Sequence, residues 1–327
     1  MPPATDTPDL TIVVPVHNAR EHLDTLVADV QAIPDLTVEL ILVDDGSSDG
    51  SESYVDDLAA RHPGVLALHN PSNLGAGVAR NTGFPHARGR YTLFFDADDR
   101  IHGDVAAEAV ALLDASKADV AMCAYNYERD SGAGRTGMIE ADRRILKAGL
   151  KGKTSRLLRL EELPVLLGFT NYPWNKIIRT RTFRRSGLRY GRTVVNNDIL
   201  GHWHTLLFAS EIMLLDKVLC THIVFSAGAN LTNRRDAVRM SAFGALEETY
   251  DLLRAHPELR QRYAHHYWAF ALKLADWVRG RLSRDWHEHH RAALQALVSR
   301  IDLSDYARMR RKRSRGLAQG LMNVLLG

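Results

Sequence analysis

The first 130 residues alternate between short apolar segments and amphipathic segments, and this alternation limits the possible folds more than any other feature. Five apolar segments are predicted to be strands: LTIVVPVHN (10–18), VELILVDDGSSDG (38–50), VLALHN (65–70), RYTLFFDADD (90–99) and ADVAMCAYNYE (118–128). The segments between them have helical spacing, as in AREHLDTLVADVQAI (19–33). Strands that are apolar on both faces and alternate with helices predict an α/β fold, with a parallel sheet covered by helices on both faces.

Polar side chains follow four of these predicted strands at the point where each strand ends. They are His17 and Asn18, Asp44 and Asp45, Asn70 and Asn73, and Asp96 to Asp99. Because the carboxyl ends of parallel strands meet at one edge of a sheet, and ligands bind beyond that edge, we expect these side chains to line a binding site.

Three aspartates, Asp96, Asp98 and Asp99, fall within four positions at the end of the fourth strand. Like charges this close repel each other, and a divalent cation such as Mn²⁺ or Mg²⁺, usually together with a substrate diphosphate, would compensate them. The alternative is a solvated acidic turn without function. A nicotinamide-type site is not indicated, because the turn after the first strand, PVHNAR, lacks glycine, and no P-loop motif is present.

Four segments together resemble family 2 glycosyltransferases with a GT-A fold. They are TIVVPVHNA, LILVDDGSSDGS, NPSNLGAGVARNTGFPHARGRYTLFFDADD and YPWNKIIRTRTF. The resemblance implies the nucleotide-diphospho-sugar transferase fold, a Rossmann-like, mostly parallel sheet. It also implies an inverting, metal-dependent transfer from a nucleotide-diphosphate sugar, typically a UDP-sugar. The acceptor would be a hydroxyl of a glycan, a cell-wall or capsule polymer, or a lipid-linked molecule.

The resemblance also assigns roles to individual residues on the donor side. Those expected to contact the nucleotide sugar are Pro15, His17, Asn18, Asp44, Asp45, Asn73, Arg80, Asp96 and Ala97. In this scheme Asp45, perhaps with Asp44, accepts a hydrogen bond from the base. Asp96, Asp98 and Asp99 are the expected metal ligands, with Asp98 or Asp99 in direct contact.

On the acceptor side, the resemblance implies that Asp198 is the general base. It follows the block Trp174-Asn175-Lys176 at the family's spacing, but Asn197 stands where the family commonly has glutamate. Trp174, Asn175 and Lys176 are then expected on the acceptor side, and Trp203 is either a sugar-stacking or a core residue. The competing interpretation makes Asp198 a helix N-cap, and the departure at Asn197 leaves open a non-catalytic relative that binds nucleotide or glycan.

The chain is predicted to have two parts, and charge separates its ends. Residues 1–230 form the catalytic domain, with a nucleotide-sugar half (about 1–125) and an acceptor half (about 126–230), and residues 231–327 form a helical extension. Residues 1–130 carry 22 acidic and 8 basic side chains, whereas the remainder carries 17 acidic and 34 basic ones. The basic part therefore either attracts the acidic part or faces an anionic partner.

The segment 308–327 begins with six basic residues between Arg308 and Arg315 and ends in an apolar stretch. It is predicted to be either a frayed solvated tail or a peripheral contact with anionic membrane. Nucleic-acid binding is not expected, because the stretch lacks interleaved aromatic residues. Two cysteines and an N-terminus without a signal-peptide pattern indicate a cytoplasmic protein, peripheral at the inner face of the cell membrane if the basic end binds lipid. No oligomeric state is indicated.

Overall fold

The computed structural model describes residues 7–129, 137–224 and 237–327. Its described strands all belong to one sheet. They are β1 (Leu10–Val16), β2 (Val38–Asp45), β3 (Val65–Asn70), β4 (Tyr91–Phe94), β5 (Arg100–Ile101), β6 (Val120–Arg129), β7 (Ser155–Leu158), β8 (Lys176–Arg179) and β9 (Ile212–Val224).

The described α-helices lie on both faces of the sheet and in the C-terminal part. They are α1 (Leu23–Gln31), α2 (Ser51–Arg61), α3 (Ala76–Gly83), α4 (Gly103–Ala115), α5 (Glu140–Leu150), α6 (Thr180–Arg185), α7 (Asp198–Phe208), α8 (Ser241–Ala255), α9 (Pro257–Arg279), α10 (His287–Ser299), α11 (Leu303–Arg308) and α12 (Arg315–Leu326).

The sheet has a parallel half and a mixed half. Strands β3, β2, β1 and β4 are neighbours in that order and all pair in parallel, as the sequence predicts. The next neighbour is β8, which runs antiparallel to both β4 and β6 and so separates the fourth and fifth predicted strands. Beyond it, β6 and β9 pair in parallel, and β5 and β7 pair antiparallel to β9. The sheet as a whole is therefore mixed rather than mostly parallel.

Helix α3 packs closely against the parallel half of the sheet. A Cβ atom on Gly83 would lie 2.6 Å from Val13 Cγ1 and 3.0 Å from Val43 Cγ2, so only glycine permits this approach. The helix ends there, and Pro85 follows in a short 3₁₀ turn, because proline at that point cannot donate the next helical hydrogen bond. This contact fixes α3 above the carboxyl ends of β1 and β2.

The C-terminal helices pack against the catalytic part through α7. Trp203 on α7 is fully buried, and its ring meets Tyr267 and Phe270 of α9, each at a centroid distance of 5.8 Å. Trp203 is therefore a core residue, and the prediction that it could stack on an acceptor sugar is wrong. The predicted boundary at residue 230 lies outside the described residues and stays a prediction.

The basic end of the chain is folded onto the helical part. After α11, Met309–Arg313 form a π-helical turn, and the Ser314 side chain then accepts a hydrogen bond from Leu317 N at the start of α12. Ala318 and Leu321 of α12 are buried, so the alternative of a frayed tail is wrong for this segment. Within the described ranges, none of the helices has the length and apolar character needed to cross a bilayer.

We expect Trp203→Ala to lower the free energy of unfolding by about 3–5 kcal/mol, because it removes a fully buried indole from the joint between α7 and α9. Trp277→Ala is the matched control, since Trp277 is 39% exposed and its loss should cost about 1 kcal/mol or less. Urea denaturation of both variants measures the difference. Equal costs would show that the joint contributes little.

Candidate active site

Asp45, at the end of β2, holds the loop that follows β3. Its Oδ1 accepts hydrogen bonds from Asn70 Nδ2 (2.7 Å) and Leu74 N (3.1 Å), and its Oδ2 accepts one from Gly75 N (2.7 Å). The residue is 2% exposed. A carboxylate offers about four lone-pair sites, so three are in use and about one is left for a ligand.

The neighbouring Asp44 keeps one oxygen unpaired. Its Oδ2 accepts weak hydrogen bonds from Gly46 N (3.2 Å) and Ser47 N (3.3 Å), whereas its Oδ1 is buried and has no partner. Asp44 also lines a cleft of about 550 Å³ between the ends of β2 and β3. Because an unpaired buried acceptor is costly, Asp44 is available to accept a hydrogen bond from a ligand.

His17, Asn18 and Asn73 connect the ends of the first three strands. His17 Nδ1 donates to the Asp45 carbonyl (3.0 Å), which leaves Nε2 to accept from Asn73 Nδ2 (3.0 Å). Asn18 has a φ of 50°, and its Oδ1 accepts from Ser48 N (2.8 Å). The structure thus brings these predicted donor-side residues together. Pro15, in β1, pairs with Val43 of β2 beneath them.

The three aspartates after β4 have different environments. Asp99 is buried, and it accepts hydrogen bonds from His222 Nδ1 (2.8 Å) and Ile223 N (3.0 Å) of β9. Asp96 and Asp98 remain partly exposed on either side of the buried Ala97. Burial raises the pKa of the Asp98 carboxyl to about 6, and the charges of Asp99 and Asp96 act in the same direction. The carboxylates that face the cleft are therefore crowded with negative charge.

Arg80, on α3, lies beneath the cleft and joins its two sides. Its Nη2 donates to Asp96 Oδ1 (2.5 Å), and its Nη1 donates to Asn197 Oδ1 (3.0 Å). The residue is 4% exposed, and its guanidinium lies 5.3 Å from the centre of the Tyr190 ring. Asn197 thus has a defined partner although it departs from the family pattern, so this departure does not by itself favour a non-catalytic protein.

Asp198 is the first residue of α7, and it is partly exposed. The N-cap position is Asn197, and no side chain caps this helix, so the interpretation of Asp198 as an N-cap is wrong. Burial raises the pKa of Asp198, and the positive charges of Arg80 and Lys176 oppose that shift. A carboxylate in these surroundings suits a proton acceptor, because partial desolvation makes it more basic than a solvated aspartate.

Trp174, Asn175 and Lys176 are buried and support the site from below. Lys176 Nζ donates to Tyr172 O and Asn175 Oδ1, both at 2.6 Å, and burial lowers its pKa to about 7. The Trp174 ring is fully buried and stacks on Tyr172 with centroids 4.4 Å apart. The expectation that this block contacts an acceptor therefore finds no exposed surface on Trp174 or Asn175.

Sequence reasoning missed two residues of the site. His222 pairs with Asp99: burial lowers its pKa, but the hydrogen bond and the charge of Asp99 outweigh burial and raise it overall. Asn81 bonds to the backbone of Tyr190 through both polar atoms of its side chain. Neither contact has a local sequence signal, because the partners are more than 100 residues apart.

Comparison with known proteins identifies the family. The model of glycosyl transferase family 2 matches residues 11–184, which is more than half of the chain and includes β1, β2, the acidic turn and Lys176. The chain belongs to glycosyl transferase family 2.

Individual relatives are more distant. The family 2 chain is 27% identical over 190 residues to the uncharacterized glycosyltransferase EpsJ of Bacillus subtilis, a match that covers 57% of this chain and 52% of EpsJ. It is 34% identical over 122 residues to the succinoglycan biosynthesis protein ExoO of Rhizobium meliloti, covering 37% of this chain and 34% of ExoO. Its matches to the curated relatives named here thus span about a third to a half of their length.

The fold is that of S. aureus TarS. The crystal structure of TarS residues 1–349 with UDP-GlcNAc superimposes with a TM-score of 0.71, covers 97% of this chain and 88% of TarS, and shares 18% sequence identity. The predicted GT-A fold with a helical C-terminal part is confirmed. In the parts of the chain that the structure describes, no group of three or more His, Cys, Asp or Glu side chains is placed to hold a metal ion.

Proposed function

We propose that this family 2 chain is an inverting glycosyltransferase that transfers a sugar from a UDP-sugar to a hydroxyl group of a glycan or lipid-linked acceptor. The observation that carries the proposal is the meeting of three groups at one edge of the sheet. Asp44 and Asp45 end β2, Asp96 and Asp98 follow β4, and Asp198 begins α7, with Arg80 joining the last two sites. The complex of the TarS relative with UDP-GlcNAc supports the choice of donor.

The donor base would lie in the cleft at the end of β2. The free Oδ1 of Asp44, or the remaining lone pair of Asp45, would accept a hydrogen bond from an N–H of the base. The Asn73 side chain, which donates to His17, would border the same space. These groups select a base that carries a donor at the matching position, as uracil does.

The residues present fit a divalent cation beside the donor diphosphate. Asp96 and Asp98 would hold it, because both carboxylates are partly exposed and oxygen ligands suit Mn²⁺ or Mg²⁺. When bound, the ion supplies positive charge where the leaving diphosphate becomes more negative. Asp99 is engaged by β9 and would orient the turn.

Asp198 would take the proton from the acceptor hydroxyl as its oxygen attacks the sugar. This step needs an ionised carboxylate at neutral pH, and the neighbouring charges of Arg80 and Lys176 favour that form. Attack by the acceptor on the face opposite the leaving diphosphate inverts the anomeric carbon. The name of ExoO, a succinoglycan biosynthesis protein, supports a polysaccharide-type acceptor.

The basic end would bring this enzyme to an anionic membrane that carries its acceptor. The cationic surface consists of four exposed side chains for which the structure describes no ion pair: Arg310, Arg311, Lys312 and Arg315. Leu303, which is 82% exposed, lies seven residues before Arg310 and adds an apolar side chain to this region. Cations beside an exposed apolar side chain suit a lipid headgroup layer, since the layer offers both negative charge and hydrocarbon.

We expect chelation with EDTA to abolish release of UDP from UDP-GlcNAc, and added Mn²⁺ or Mg²⁺ to restore it. Asp98→Asn should lower the rate by at least about a hundredfold without lowering the melting temperature, since it relieves repulsion among the three aspartates. Asp104→Asn, at an exposed acid on α4, is the control and should keep full activity. Full activity in excess chelator would exclude the metal-dependent mechanism.

Asp198→Asn should lower turnover by about 10²–10⁴-fold while UDP affinity stays within about twofold, because asparagine keeps the shape but cannot accept the proton. Asp216→Asn, at an exposed carboxylate on β9, serves as the control. Turnover and calorimetric UDP binding are measured on the same preparations. Near-normal turnover of Asp198→Asn would remove Asp198 as the base.

Replacing the four residues of the cationic surface with glutamine should reduce binding to vesicles that contain anionic lipid by about a hundredfold at low salt, because each cation near the surface adds about 1 kcal/mol. The control carries the same change in charge at four exposed, scattered positions: Arg254, Lys273, Arg279 and Arg284. Raised salt should imitate the first variant. Equal sedimentation of both variants with the vesicles would reject the membrane contact.

A further inference from the structure

The segment 190–197 places Asp198, yet its own backbone does little to hold it. It contains no helix or strand, and Asn196 has a left-handed φ of 62°. The internal bonds run from Gly191 N to Asn197 O (2.8 Å) and from Ile199 N to Asn196 O (3.2 Å). Val194 is 55% exposed. The position of this segment must therefore be set by contacts with other elements.

Asn81 on α3 fixes the start of the segment. Its Nδ2 donates to the Tyr190 carbonyl (3.0 Å), and its Oδ1 accepts from Tyr190 N (2.7 Å). Because both backbone groups of one residue bond to one planar amide, the distance and the orientation of the backbone are fixed together.

Two neighbours of Asn81 on the same face of α3 hold the rest of the segment. Arg80 Nη1 donates to Asn197 Oδ1, one residue before Asp198. A Cβ atom on Gly77 would lie 2.0 Å from the Gly191 carbonyl oxygen, so α3 and the segment touch at their backbones. Positions 77, 80 and 81 follow helical spacing, which places all three contacts on one surface.

Helix α3 is also tied to the donor side of the site. It begins directly after Gly75, whose N–H bonds to Asp45, and Thr82 Oγ1 donates to Asn70 Oδ1 (3.0 Å). Its packing against Val13 and Val43 through Gly83 leaves it little freedom to shift. One short helix thus connects the donor loop with the segment that carries the base.

We propose that Asn81 is a positioning residue for the transfer reaction, which holds segment 190–197 so that Asp198 reaches the acceptor hydroxyl. The inference rests on the proposed role of Asp198. A displacement of about 1 Å at a reacting group can cost on the order of 10²-fold in rate. Asn81 has no described contact in the donor cleft, so its loss should act on turnover and not on donor binding.

The test is a double-mutant cycle of Asn81→Ala and Asp198→Asn, with turnover measured as UDP release from UDP-GlcNAc and binding measured by calorimetry with UDP. Asn81→Ala alone should lower kcat by about 10–100-fold and leave the UDP Kd within about twofold. In the Asp198→Asn background it should have almost no further effect, because the group it positions is already inactive. Equal rate losses in both backgrounds, or a loss of UDP affinity, would overturn the inference.

Two further variants keep the test decisive if Asn81→Ala folds poorly. Gly77→Ala leaves the Asn81 bonds in place but pushes the segment away from α3, and it should show the same loss of kcat and the same non-additivity. Gln31→Ala removes a side-chain amide bonded to His62 (2.9 Å) between α1 and α2, away from the site, and should leave kcat unchanged. If Asp198→Asn itself keeps full turnover, the proposed function fails. If only Asn81→Ala and Gly77→Ala are normal, this inference alone fails.

Discussion

The buried guanidinium of Arg80 is the contact on which the arrangement of the site depends. It bonds to Asp96 on the donor side and to Asn197 at the start of the acceptor-side helix, and almost none of it reaches solvent. A buried cation must be paired and hydrogen-bonded to be tolerated, so both partners are held where Arg80 needs them. The acidic turn and helix α7 consequently have a fixed relation although about 100 residues separate them in the chain.

The aspartates at this edge of the sheet divide according to their surroundings. Asp45 and Asp99 are buried and accept several hydrogen bonds, so they hold the loop after β3 and the end of β9 in place. Asp98 and Asp198 have raised pKa values because burial is not matched by such bonds. Strain of this kind is tolerated where function requires a reactive or ligand-binding carboxylate.

The helical C-terminal part bears on the site through α7. Trp203, on the buried side of that helix, packs against α9, while Asp198 begins the same helix at the cleft. Glu248 of α8 also receives a long hydrogen bond from Arg192 N (3.4 Å), within the segment that leads to Asp198. The extension is therefore part of the support for the acceptor side and is more than an appendage to the sheet.

The sequence by itself determined the parallel half of the sheet and the acidic and amide residues at its edge, because strand and helix periodicity are local and each polar residue directly follows its strand. It also named Asp198, through a family pattern. Tertiary structure alone decided that β8 enters antiparallel between β4 and β6, since four apolar residues carry no directional signal. It likewise decided which aspartates are satisfied and which are free, that Trp203 belongs to the core, and that Asn81 and His222 join the site. Those outcomes depend on hydrogen bonds between residues far apart in the chain, and no local pattern encodes them.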